Sequence, residues 1–198
     1  MAFVTRSHRH LWGKNNEAPL SFLFQQGLSH GLIKDLYLGW NKFGQARSIE
    51  NWGFEPFPGQ PEKLMLHPGI VVPAIVSQNL EAVWIQQFND TGALDAYLVP
   101  GSKTAQILLG EPDDRIIIIH DLMDGLYLYQ EGKERVAVLI HPDPTKPIAR
   151  KFLKPLRQAQ SIQVLQKEND PNKMTDPGDI PASRIGHYHS KTDLTRLL

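Results

Sequence analysis

Four isoleucines in succession, Ile116–Ile119, are hard to place anywhere but the middle of a sheet. An apolar run without alternation suits a strand buried on both faces, the environment of a parallel sheet. Two further runs follow, Arg135-Val-Ala-Val-Leu-Ile140 and Ser161-Ile-Gln-Val-Leu165. Between them the spacing predicts a short helix over Leu122–Glu131 and another over Ile148–Gln158, the second kinked or stopped by Pro155. Pro147 is read as the first helical residue, where its missing N–H costs nothing. Strand, helix, strand, helix, strand predicts an α/β chain with a Rossmann-like parallel sheet and helices on both faces.

The upstream part reads differently. Residues 1–16 are polar and His/Arg-rich (His8, Arg9, His10) and predict a flexible arm. From Ala18, apolar residues recur at helical spacing, and Gly27-Leu28-Ser29 separates two short helices, with Ser29 as N-cap of the second. Residues 39–61 read as a loop carrying Trp40, Phe43, Trp52, Phe54 and Phe57. Gly69–Val76, Leu80–Gln87 and Leu94–Val99 read as strands, the first two as hairpin partners, with a turn at Asp90-Thr91-Gly92. The expected organisation is an arm (1–16), a small helical and mixed-β subdomain (17–112), the parallel sheet (113–170) and a C-terminal tail (171–198). That tail has Asn169-Asp170-Pro171 and Asp176-Pro177-Gly178 turns and a terminal helix from Ser190.

Composition excludes several classes. There is no cysteine among the 198 residues, so neither a disulfide framework nor a Cys-built zinc ribbon exists. No apolar run approaches the length of a membrane span, and the N-terminus has no apolar stretch of a secretory signal, so a cytoplasmic chain without membrane contact is expected. Twenty-one basic and 21 acidic residues cancel. That balance counts against tight, non-specific DNA binding.

Several motifs, taken in order, resemble the TOPRIM catalytic core of phage and plasmid DNA primases. Gly27-Leu28-Ser29, Ile33 and Leu38-Gly39-Trp40-Asn41 are similar to the stretch that opens these cores. Glu50-Asn51-Trp52-Gly53 and Gly69-Ile70-Val71-Val72-Pro73 resemble a following segment, and Tyr97-Leu98-Val99-Pro100-Gly101-Ser102 another. Ile116–Ile119 with His120-Asp121-Leu122-Met123-Asp124-Gly125 resembles the TOPRIM strand and its Glu-Gly-x-x-Asp turn. Ile140-His141-Pro142-Asp143 stands where the family has Asp-x-Asp, and Asn169-Asp170-Pro171-Asn172 resembles a later motif.

The resemblance implies a DNA replication enzyme whose carboxylates hold Mg²⁺ for phosphodiester chemistry. Here the positions of that site carry His120, Asp124, His141 and Asp143. Two imidazoles thus stand where the family has carboxylates, and nitrogen ligands suit Mg²⁺ poorly. Asp121 is one residue out of step with the lost glutamate. The family's paired arginines fall near Gln86-Gln87, and its lysine before the tyrosine falls at Ala96. These losses imply a degenerate primase-type protein, a nucleic-acid-associated binding or scaffold subunit in the replication of a mobile element. Its expected partners are replication proteins and single-stranded DNA, held weakly by Lys146, Arg150, Lys151, Lys154 and Arg157 on the basic helix. Two other functions stay open. One is an active metal-dependent nucleotidyltransferase or nuclease, with Mg²⁺, Mn²⁺ or Zn²⁺ on His120, His141 and Asp143. The other is a protein-interaction module that binds no nucleic acid. In the plain structural alternative the histidines fill a vacated acidic cleft, and Asp124 is a first-turn helix acid.

Overall fold

The computed structural model describes residues 1–89, 92–111, 115–132, 135–168, 185–196 and 198. The turns expected at Asp90-Thr91, Asn169-Asp170-Pro171 and Asp176-Pro177-Gly178, and the Asn169–Asn172 motif, lie outside these residues. The chain divides into two units, Met1–Thr104 and Ala105–Leu198.

The first unit begins with helix α1 (Ala2–Leu11) in place of the arm expected over residues 1–16. Phe3, Val4, Ser7 and Leu11 recur at helical spacing and are all buried. His8 is also engaged, stacked 4.1 Å from the Tyr37 ring and bonded through Nδ1 to the Leu38 carbonyl at 2.8 Å. Helices α2 (Glu17–Gln25) and α3 (His30–Asp35) follow, and Ser29 Oγ caps α3 by accepting from Leu32 N at 3.2 Å. The expected loop over residues 39–61 contains three short elements, β1 (Gly39–Asn41), β2 (Gln45–Arg47) and α4 (Ile49–Trp52). β3 (Leu64–Leu66) pairs with β2. β4 (Gly69–Val76), β5 (Asn79–Asn89) and β6 (Gly92–Leu98) form an antiparallel sheet with β1 at its edge, in the order β1-β4-β5-β6. Phe3, Val4, Trp52, Leu66, Val71 and Ile85 share one apolar core.

The second unit contains, among the described residues, a five-stranded sheet. Its strands are β7 (Ile107–Leu109), β8 (Arg115–Ile119), β9 (Ala137–Ile140), β10 (Ser161–Lys167) and β11 (Ile185–Tyr188), ordered β11-β10-β8-β9-β7. β8, β9, β10 and β11 are parallel, as the three apolar runs predict, and β7 closes one edge antiparallel to β9. The helices are α5 (Leu122–Glu131), α6 (Arg150–Gln158) and α7 (Lys191–Arg196). Phe152 and Leu156 of α6 pack on Ile116, Ile118, Leu139 and Val164, one face of the sheet. The opposite face meets α5 so closely that a Cβ on Gly125 would lie 2.7 Å from Ile140 Cγ1 and 3.0 Å from Ile119 Cγ2. Helices therefore cover both faces. α6 continues past Pro155 to Gln158 and starts at Arg150, so Pro147 is not its first residue. Among the described residues no helix is long and apolar enough to cross a membrane.

Candidate functional site

The site is built where β8 and β9 end. Their parallel register pairs Ile119 with Ile140, which sets His120 and His141 side by side one residue further on. His141 N bonds the Ile119 carbonyl at 2.8 Å, and His120 Nδ1 bonds the His141 carbonyl at 2.9 Å. A carbonyl can only accept, so Nδ1 carries the proton and the Nε2 of a neutral His120 keeps a lone pair. That Nε2 is buried and has no hydrogen-bond partner among the described residues. The two rings are 5.8 Å apart. His141 is 1 % exposed and has Gln106 Nε2 3.4 Å from its Nδ1. Burial, with help from the neighbouring His120, brings the His141 pKa down to about 4. Both rings sit inside the protein, and His141 is neutral at pH 7.

Gln106 escapes a reading of motifs, yet it organises this region. It is 1 % exposed, donates from Nε2 to the Pro147 carbonyl at 3.2 Å and accepts from Ala149 N at 3.2 Å. It thereby holds the segment that leads into α6.

Asp143 is turned into its own loop. One carboxylate oxygen accepts from Thr145 N at 3.2 Å and Thr145 Oγ1 at 2.5 Å, and the other pairs with Lys146 Nζ at 3.2 Å. The threonine hydroxyl bond is the main reason its pKa lies below the usual range. Lys146, expected to contact nucleic acid, is thus ion-paired. Arg150, Lys151, Lys154 and Arg157 are all exposed on α6, and Arg150, Lys154 and Arg157 recur at the spacing of one helix face. Lys151 lies 5.0 Å from the Phe152 ring.

Asp124 lies in the first turn of α5, and Asp121 is the N-cap whose Oδ1 accepts from Asp124 N at 2.8 Å. The Asp124 side chain is 6 % exposed. Tyr188 donates its hydroxyl to Asp124 Oδ2 at 3.1 Å, Lys167 Nζ is 3.3 Å from the same oxygen, and Lys191 Nζ is 3.8 Å from Oδ1. Lys167 also stands 3.9 Å from Asp121 Oδ2. Burial and the charge of Asp124 raise the Asp121 pKa. Lys167, Tyr188 and Lys191 carry no motif. Their one legible signal is position: they follow or end strands at the carboxyl edge of a parallel sheet, where such folds place ligands.

The divalent ion implied by the resemblance does not fit these donors. Both Asp124 oxygens are taken by protein cations and a hydroxyl, Asp143 serves its turn, and the donor left on His120 is a ring nitrogen, which suits Mg²⁺ poorly. Among the described residues no group of three or more His, Asp or Glu side chains is placed to hold a metal ion, so His120, His141 and Asp143 are not assembled as a ligand set. In the first unit, Gln86 and Ala96, two positions where the resemblance implies cations, are direct cross-strand partners on β5 and β6. Gln86 is buried and donates to the Gln87 carbonyl at 3.0 Å. A cavity of about 210 Å³ in that unit is lined by Phe54, Leu80, Glu81, Val99, Ser102 and Lys103, and none of the candidate site residues reaches it.

No family model matches the chain, and no curated protein matches it. Solved structures do. A DNA primase domain from Pseudomonas aeruginosa superposes with a TM-score of 0.62 at 13% identity, over 86% of this chain and 61% of that one. The DnaG catalytic core gives 0.61 at 13% identity, over 84% and 60%. A DnaG primase catalytic domain bound to ssDNA gives 0.58 at 11% identity, over 85% and 61%. The chain spans about three fifths of the length of these primase cores. With a parallel sheet flanked by helices and preceded by a helical and antiparallel part, this chain has the α/β fold of DNA primase catalytic cores.

Proposed function

We propose that the chain is a primase-type TOPRIM protein that has lost the priming reaction and works as a DNA-associated binding or scaffold subunit in the replication of a mobile element. One observation carries this reading. The two strand ends that would present catalytic carboxylates present His120 and His141 instead, and both imidazoles are buried against backbone and Gln106. A reaction that needs metal-held charge on the transferred phosphate finds, among the described residues, no group of three or more His, Asp or Glu side chains to hold the metal. The remaining acids, Asp124 and Asp143, are committed to lysines, a tyrosine and a threonine. Support for a DNA partner comes from a matching primase domain bound to ssDNA and from the exposed cations of α6. The phage and plasmid character rests on the motif resemblance, as does the expectation of replication proteins as partners.

The test has two arms on the full chain. With single-stranded template, ribonucleotides and Mg²⁺ or Mn²⁺, no primer product is expected. Labelled single-stranded DNA at low salt is expected to bind weakly. Primer products that disappear in Asp143→Ala would overturn the loss of catalysis. Absence of DNA binding at low salt would overturn the DNA-associated role and favour a protein-interaction module.

A further inference from the structure

The acids that survive at the carboxyl edge of the sheet are not idle. Asp121 and Asp124 face two ammonium groups delivered by different elements, Lys167 from the end of β10 and Lys191 from the start of α7. Among the described residues, two carboxylates stand against two ammonium groups. Tyr188, at the end of β11, adds a hydroxyl to Asp124 Oδ2 at 3.1 Å. We propose that Lys167 and Lys191 supply the positive charge that these two acids need, so that Asp121 and Asp124 form a metal-free charge lock fastening β11 and α7 onto α5.

The chemistry favours lysine over metal. Mg²⁺ demands near-octahedral oxygen ligands at about 2.0–2.1 Å and gives up its water reluctantly. An ammonium is a compact point charge that neutralises a carboxylate without a coordination sphere. A carboxylate as enclosed as Asp124 needs such compensation, because an uncompensated buried charge is strongly destabilising. A divalent ion entering this cluster would meet two positive charges already seated. The lock is also mechanical. α7 also buries Leu194 fully and holds Thr195 Oγ1 3.2 Å from the Tyr127 hydroxyl of α5. The inference rests on the geometry of the second unit and not on DNA binding, so the two fail separately.

The experiment uses the full chain. Mn²⁺ is titrated calorimetrically into the wild type and Asp124→Asn. Denaturant unfolding is then followed for Asp124→Asn, Lys191→Met and the double variant. Expected are no Mn²⁺ uptake by the wild type, no shift of its unfolding midpoint with EDTA, and non-additive single variants. Their coupling should be about tenfold in the unfolding equilibrium constant, within the range for contacting pairs. One-to-one Mn²⁺ uptake by the wild type that vanishes in Asp124→Asn, or strictly additive variants, would overturn the lock. Hydrogen exchange gives a reading that does not need Asp124→Asn to fold. Amides of residues 185–188 should exchange at least several-fold faster in Lys191→Met and return towards wild type in Lys191→Arg. Unchanged exchange in Lys191→Met would equally overturn it.

Discussion

Burial and the adjacent His120 imidazole hold the His141 pKa at about 4, against an ordinary value of 6.5. The unfolded chain therefore takes up a proton on this residue at higher pH than the folded chain does. Stability from His141 is complete above pH 6.5, declines as pH falls towards 4 and levels off below it, a loss of about 3 kcal/mol by linkage. Denaturant unfolding at several pH values should show this slope, and His141→Asn should flatten it. An identical slope in the variant would assign the acid sensitivity to other groups. What the residues reveal unaided is the pair of imidazoles, since His120 and His141 stand one position past two apolar runs. What they conceal is partnership. Asp124 meets Lys167 and Tyr188 across separations of 43 and 64 residues, and no local pattern encodes such pairs. Gln106 is hidden for the same reason, being a lone amide with no periodic neighbours.

At the scale of elements, strands and amphipathic helices are legible because burial imposes a period. β4, β5, β8 and α5 fall where alternation, apolar runs and turns place them. α1 does not, because Arg6, His8, Arg9 and His10 mask the buried stripe of Phe3, Val4, Ser7 and Leu11. Phe3→Ala should cost about 3–5 kcal/mol, the range for a fully buried aromatic, where a flexible arm would show no change. Gly125→Ala places a methyl against Ile119 and Ile140 and should cost about 1–3 kcal/mol by overpacking, read by the same unfolding assay. α6 carries the clearest functional expectation. Three or four phosphate contacts on single-stranded DNA give a log–log salt slope of about −2 to −3, and Arg150→Gln with Lys154→Gln should flatten it by about 1 to 1.5. An unchanged slope in fluorescence anisotropy would move the contact away from α6.

For the whole molecule, charge is the governing quantity. Twenty-one cations balance 21 anions, so no net field gathers DNA from a distance. On the proposed reading, affinity for DNA rests on one local face. Removing all four exposed α6 cations (Arg150, Lys151, Lys154 and Arg157, each to Gln) should abolish binding even at low ionic strength. Retained binding would assign the surface elsewhere, with Arg6 and Arg9 of α1 the next cations to test. The sheet of the second unit has one more consequence. Its two rims are the three-residue β7 and the four-residue β11. A strand that short offers few unpaired amides and carbonyls for another chain to template on. Despite an interior of consecutive isoleucines, the folded protein should resist edge-to-edge polymerisation.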